Sequence, residues 1–368
     1  MRPPKQGASI PALVVNSRIY ISETDTLVVQ STNKLTQALG RPPETIAVFR
    51  AIKLGDLLCT VPTFRALRHA FPDAHIALIS LPWAQEFVKA YRDCIDEFIS
   101  FPGWPGLPEQ PVAPAKVIAF LGEMQARQWD VVMQLQGNGT VVNAMLSLLG
   151  GRVLTGYFKP DVPSERWAGQ AGLFMPYPEP SHEIHRHLSL LTYLDIPDQG
   201  TETTFPVDEL EEERTWQLLT AADLAPHQYV CIHAGGISGR RWPAYQFAAV
   251  ADELAHRGLQ IVLTGTLAEQ PIIYDVKSLM VRPAISLAGQ TSLGVLAALL
   301  RQSALLISND TGVAHLAIAS RTPSVVIYTS ADPDEWGPLN RSRHRVVRES
   351  SANVYEQVVR EAISLLDP

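Results

Sequence analysis

Short, wholly apolar runs alternate with helix-patterned segments along most of this chain, and the alternation breaks once and then restarts. The runs Ile46-Ala47-Val48-Phe49, His75-Ile76-Ala77-Leu78-Ile79, Glu97-Phe98-Ile99, Asp130–Leu135 and Arg152–Gly156 read as strands. A run with no polar face must be covered on both sides, and helices between successive strands supply that cover in parallel βαβ units. The pattern breaks around Thr203-Thr204-Phe205-Pro206-Val207, and a helix follows from about Asp208 to Leu224. It resumes with strands at Tyr229–Ile232, Ile261–Thr264, Ala284–Leu287, Leu305–Ile307 and Ser324–Tyr328, again with helices between. A length of 368 residues suits two domains better than one core. The expectation is an α/β chain of two doubly wound halves, 45–207 and 208–350, with a boundary near 205–210.

The flanks differ. Residues 1–44 hold short β-prone pieces at Ala12–Val15, Arg18–Ile21 and Leu27–Val29 and end in Gly40-Arg41-Pro42-Pro43, which reads as a small strand appendage or partly disordered extension closed by a linker. The tail, 351–368, reads as an amphipathic helix free to pack back on the first half. Pro62 is expected near the first turn of its helix, where proline is tolerated. A formal net charge of −7 argues against a dedicated nucleic-acid binder. The basic spot Arg341-Ser342-Arg343-His344-Arg345 with Arg348 is either a solvated face or an anion or lipid-headgroup patch. Cys59, Cys94 and Cys231 share no metal-ligand spacing and fit free thiols of a reducing compartment. No run is long enough to span a bilayer, and no apolar stretch of signal-peptide type follows Met1-Arg2-Pro3-Pro4-Lys5, so a cytoplasmic protein is expected, with peripheral membrane attachment left open.

Chemistry concentrates in four turns at the carboxyl ends of strands, where open α/β sheets bind ligands. Neither half carries G-x-G-x-x-G after its first strand, Gly137-Asn138-Gly139-Thr140 being only a fragment, and no P-loop occurs. In Lys53-Leu54-Gly55-Asp56, Asp56 is either a plain helix N-cap or a carboxylate facing the interdomain cleft, able to take a proton from a hydroxyl. Gly55 would permit a tight turn and keep the approach open, and Lys53 would hold an acidic group on the acceptor or stay solvated. In His233–Pro243, small residues let phosphates approach the backbone, and Arg240 and Arg241 add fixed positive charge. In Gly265–Glu269, Glu269 is placed either to accept from ribose hydroxyls or to sit at a helix N-terminus. In Ser308–His315, Asp310, Thr311 and Gly312 open a helix whose unpaired N–H groups suit a diphosphate, with His315 one turn on.

Taken together, these stretches resemble glycosyltransferase family 9, the heptosyltransferase family, whose fold is GT-B. The matching residues are Ile46–Arg50 through Gly55-Asp56 to Pro62, His233–Gly236 with Arg240–Pro243, Val262–Gly265 with Glu269, Ser308–Gly312 with His315, and Asp332-Pro333 with Gly337-Pro338. The resemblance covers about residues 45–345 and implies inverting sugar transfer from a nucleotide diphosphate donor without a required metal or other cofactor. It implies Asp56 as base, Arg240 on the donor phosphates, Glu269 on the nucleoside, and Asp310, Thr311, Gly312 and His315 on diphosphate and sugar. The chain departs from the family pattern at Arg240, where lysine is frequent, at Ala234 in place of proline, and at Ser320-Arg321 in place of Leu-Gly.

The expected mechanism puts a glycan or glycolipid acceptor on the first half and the donor on the second. Asp56 deprotonates the acceptor hydroxyl, Arg240 and the helix N-terminus at Thr311-Gly312 meet the leaving charge, and closure of the halves excludes water. Two rivals differ in what they do with donor alone. A sugar-nucleotide epimerase or hydrolase of the same architecture converts it without acceptor, and a non-catalytic binder only holds it.

Overall fold

The computed structural model describes residues 32–165, 167–168, 172–179 and 181–367. The three β-prone pieces before Thr32 lie outside the described residues. What precedes the first sheet is instead a short helix, α1 (Lys34–Leu39), capped by the Asn33 side chain and closed by Gly40 at φ 75. A left-handed residue after the last helical turn is the position glycine fills without strain.

The first half contains strands β1 (Thr45–Phe49), β2 (His75–Ser80), β3 (Glu97–Ser100), β4 (Val131–Gln134), β5 (Val153–Phe158) and β6 (Leu173–Pro176). Its further helices are α2 (Leu54–Ala70), α3 (Ala84–Ala90), α4 (Pro114–Ala126), α5 (Val142–Leu146) and α6 (Glu183–Tyr193). The second half contains β7 (Tyr229–His233), β8 (Gln260–Leu263), β9 (Ile285–Ser286), β10 (Leu305–Asn309), β11 (Ser324–Tyr328) and β12 (His344–Arg348). Its helices are α7 (Glu209–Ala221), α8 (Ala244–His256), α9 (Gln270–Leu279), α10 (Leu293–Gln302), α11 (Gly312–Ala319), α12 (Pro333–Trp336) and α13 (Val354–Leu366).

Each sheet has six parallel strands, in the orders β3-β2-β1-β4-β5-β6 and β12-β11-β10-β7-β8-β9. Counted from its own first strand, each half therefore repeats the order 3-2-1-4-5-6, whose direction reverses between the first and fourth strands. Those switch points lie between β1 and β4 and between β7 and β10, and a crevice opens beyond the strand ends at such a point. The strands at the centre are buried throughout, as β7, β10 and β11 illustrate.

The halves meet through α2 and α11. Leu57, Leu58 and Val61 of α2 and Val313, Leu316 and Ala317 of α11 belong to one continuous buried cluster. Pro62 lies in the body of α2, which starts at Leu54, and not near its first turn. A proline there lacks the N–H that would bond the Leu58 carbonyl. Helix α13 packs on the second sheet, where Val358 and Ala362 are buried with Val325, Ile327 and Val347, rather than back on the first half. The basic run Arg341–Arg345 leads into the edge strand β12; Arg343 donates to the Arg321 carbonyl, and the other arginines, with Arg348, meet carboxylates nearby. Arg341 pairs with Asp334 at 2.6 Å, Arg348 with Asp332 at 3.2 Å and Arg345 with Glu361 at 3.5 Å. Among the described residues no helix is long and apolar enough to cross a membrane.

Candidate active site

Where α2 and α11 begin, the two halves touch with almost no side chain between them. A Cβ on Gly55 would lie 2.6 Å from Cδ2 of His315, and one on Gly312 would lie 2.8 Å from Cβ of Leu54. Both distances are shorter than atoms tolerate, so only glycine lets the two helix N-termini press together. Gly55 thus earns its place by close approach to the other half, not by a tight turn.

Asp56 is the third residue of α2, and Lys53 is the N-cap. Lys53 makes no side-chain capping bond, so Asp56 is not a plain N-cap, and its carboxylate turns to the buried Arg50 guanidinium, 3.5 Å away. Arg50 in turn donates to the Leu135 carbonyl and to Glu183 at 2.7 Å. Burial pushes the Asp56 carboxyl up to about 6, Arg50 opposes this, and the Glu183 charge adds to it. Lys53 is exposed.

On the facing half, Asp310 follows β10 directly. Burial and the Asp56 charge push its carboxyl up to about 6, and Arg240 pulls the other way. Two carboxyls from different halves therefore sense each other across the crevice. Thr311 is the N-cap of α11, yet its hydroxyl makes no capping bond, and its Oγ1 is buried without a partner. A buried unpaired hydroxyl at a helix N-terminus is a group waiting for an acceptor.

The glycine loop after β7 is braced from three sides. The Gly236 N–H donates to Glu269 Oε1 at 2.7 Å, and Arg241 Nε donates to the Gly236 carbonyl at 2.8 Å. Gly236 sits at φ 116 with the Thr311 methyl where its Cβ would be. Glu269 uses its other oxygen to accept from the Thr266 N–H and hydroxyl, both at 2.8 Å, closing a capping box. It is thus both a helix-terminal carboxylate and a tie to the loop. Arg240 is exposed at the tip of that loop, and its carbonyl accepts from Thr329.

His315 is half-buried and turned toward α2, with Nδ1 3.7 Å from the Cys59 sulfur. Burial and nearby His182 depress it to about 4, so it is neutral at ordinary pH. Together with His182, Arg321, Arg343 and His344 it lines a cavity of about 480 Å³ between the halves.

Three residues that hold this site together were given no role by the sequence. Asn309 is fully buried and accepts from the Trp242 N–H at 2.8 Å, while its amide donates to the Gly235 and Ala234 carbonyls at 2.9 and 3.2 Å. It clasps the glycine loop to the Asp310 turn. Arg50 and Glu183 are the others. The available signal was a polar residue closing an otherwise apolar strand, at Arg50 and at Asn309. Among the described residues no three His, Cys, Asp or Glu side chains converge as a metal site.

The sequence profile of glycosyltransferase family 9 (heptosyltransferase) matches residues 117–362. The chain belongs to this family. It is 25% identical over 303 residues to lipopolysaccharide heptosyltransferase 3 of Escherichia coli K12, covering 77% of this chain and 82% of that protein. The glycosyl transferase family 9 structure from Veillonella parvula superposes with a TM-score of 0.73 at 22% identity, covering 88% of this chain and 97% of the other. The E. coli ADP-heptose LPS heptosyltransferase II structure gives a TM-score of 0.69 at 20% identity, with 88% and 98% covered. The architecture is GT-B, and this family 9 member is a glycosyltransferase.

Proposed function

We propose that this glycosyltransferase inverts the anomeric centre of its donor and needs no metal, and that Asp56 is its general base. The donor is a nucleotide diphosphate sugar, with ADP-heptose the first candidate from the names of its relatives. The acceptor is a hydroxyl of a glycan or glycolipid. The observation that carries this reading is the junction where Gly55 and Gly312 let the two helix N-termini touch, which brings Asp56 of one half to the unpaired Thr311 hydroxyl end of α11 in the other.

In this reading residues 45–207 bind acceptor and 208–350 bind donor. The acceptor oxygen attacks the anomeric carbon as its bond to the β-phosphate oxygen breaks, and Asp56 takes the hydroxyl proton. A carboxyl near 6 is ionised at neutral pH yet basic enough to accept a proton in the transition state. The leaving diphosphate is met by Arg240, by the N–H groups opening α11 and by the unpaired Thr311 hydroxyl. The small side chains of the loop after β7 leave room for the phosphates, and Glu269, tied to the Gly236 N–H, borders the nucleoside. Lys53 and Gly55 flank the acceptor side. The three free thiols and the lipopolysaccharide named in the relatives' titles support a place on the cytoplasmic face of the membrane.

The test is product analysis with ADP-heptose, with and without a heptose-deficient lipopolysaccharide core as acceptor, in the presence of EDTA. Glycosylated acceptor of inverted anomeric configuration supports the reading. Conversion of donor alone identifies an epimerase or hydrolase, and loss of transfer in EDTA removes metal independence.

A further inference from the structure

A chain of charges leads from Asp56 to the other half. Asp56 meets Arg50 at 3.5 Å, Arg50 meets Glu183 at 2.7 Å, Glu183 is bonded by Arg186, and Arg186 reaches Glu335 at 2.8 Å. The first four belong to the first half, and Glu335 lies on α12 of the second. Arg50, Glu183 and Arg186 are buried. Alongside, His182, the N-cap of α6, bonds the Gly337 carbonyl at 2.8 Å, so the first turn of α6 is latched to α12 at two points.

The chain holds three carboxylates and only two guanidinium groups. Each arginine is therefore shared, and what one carboxylate takes the next lacks. Arg186 serves Glu183 and Glu335, while Arg50 serves Glu183 and Asp56. Arg50 also has its Nε buried without a partner, so its guanidinium is not held at every donor.

We infer that Glu183, Arg186 and Glu335 are positioning residues that couple contact between the two halves to the basicity of Asp56. With the halves latched, Glu335 draws on Arg186, Glu183 leans more on Arg50, and Asp56 receives less of Arg50. The carboxylate is then the stronger base. With the latch open, Arg186 turns wholly to Glu183, Arg50 is released to Asp56, and the base weakens. Proton abstraction is thereby favoured in the closed state, where donor and acceptor are shielded from water.

Other groups face the same chain. Lys53 at the start of α2 acts on Asp56, Asp310 beyond β10 feels the Asp56 charge, His187 of α6 contacts Glu183 at 3.1 Å, and Tyr177 lies under the Arg186 guanidinium, 4.7 Å to its ring centre. None of these except Asp310 comes from the second half, so Glu335 is the member whose position changes with the latch.

This inference rests on Asp56 being the base, and the experiment separates the two. The acid limb of the kcat/KM profile is measured for the wild type, Asp56→Asn, Glu183→Gln and Glu335→Gln. Removing the like charge of Glu183 should move the limb to lower pH by about one unit. Glu335→Gln, one link further off, should move it the same way by about half a unit, since a released Arg186 acts through the same chain. Glu335→Asp should restore it. Glu183 is buried and its variant risks misfolding, so Glu335, at the exposed end, is the decisive substitution. An unmoved limb in folded Glu335→Gln overturns the coupling. Near-normal turnover in Asp56→Asn with its limb intact overturns the base reading instead.

Discussion

At the carboxyl end of β1 the chain gathers charged side chains into one connected set, the buried Arg50 and Glu183 with the half-buried Asp56. At the equivalent end of β7 it places glycine backbone, with Glu269, Arg241 and Asn309 turned inward to hold that backbone still. The two halves have the same strand order, so topology supplied only the position. One half offers a titratable group whose state depends on neighbours. The other offers a preformed backbone cradle, braced by Glu269 and Arg241, with Arg240 left exposed at its tip. A site made this way separates proton transfer from leaving-group binding, and the two should fail independently when broken.

The largest break is Asp56→Ala. General-base contributions run to roughly 10²–10⁴-fold, so transfer should fall by that order. Donor affinity, measured by calorimetry with the nucleotide diphosphate, should stay within about threefold, a free-energy change below roughly 0.7 kcal/mol. A matching loss of donor binding would show that the halves are not chemically separate.

The converse break is Asn309→Ala. It strips partners from the Trp242 N–H and from two carbonyls of the glycine loop, all buried. Each orphaned group carries a penalty of about 1–3 kcal/mol, so donor Kd should rise by roughly tenfold or more and melting temperature should fall. Turnover at saturating donor should change much less. Gly236→Ala tests the same cradle by a different route, because at φ 116 a Cβ would meet the Thr311 methyl.

A smaller effect joins the two regions. Asp56 and Asp310 are both held near 6, and the Asp56 charge is one cause of the Asp310 shift. Asp56 itself answers first to burial, Arg50 and Glu183, so Asp310 is the lesser influence on it. Transfer should fall as pH drops through about 6, when the base becomes protonated. Asp310→Asn removes a negative charge that favours protonation of Asp56, so the acid limb should move to lower pH. A limb that stays in place would mean the carboxyls do not interact.

The two doubly wound halves were legible because apolar runs such as Ile46–Phe49 admit no solvent-facing side, which leaves only a covered parallel sheet. The strands that escaped are those where this logic fails. β6 is four residues long and ends in Pro176, and β12 is an edge strand, His-Arg-Val-Val-Arg, paired only with β11. The extent of α2 was misjudged because tertiary packing holds Pro62 in mid-helix against local preference. Residues at strand ends, Asp56, Arg240, Asp310 and Thr311, could be proposed from position alone. Arg50 and Asn309 could not, since their partners lie 133 and 74 residues away. His315 shows the same limit, for its ring answers to Gly55 and Cys59 of the other half.

The smallest expected effect concerns the far end of the same two helices. α2 ends at Phe71 with φ −134, whereas α11 ends through Ser320 into Arg321 at φ 58, a conformation that favours glycine. Arg321 N–H and Thr322 N–H still close the helix on the Ile318 and Ala317 carbonyls, so the left-handed turn is made without glycine. Holding a non-glycine residue there costs about 1 kcal/mol. The Arg321–Glu202 pair, 3.3 Å apart with side chains 71% and 68% exposed, offsets only part of that. Arg321→Gly should therefore stabilise the protein by about 0.5 kcal/mol, a rise of roughly one to two degrees in melting temperature. Transfer should change little, because Arg321 lines the cavity only at its far end, ten residues beyond the Thr311 end of α11. If turnover falls while stability rises, the strained arginine serves the reaction, and the donor half does more than hold a leaving group.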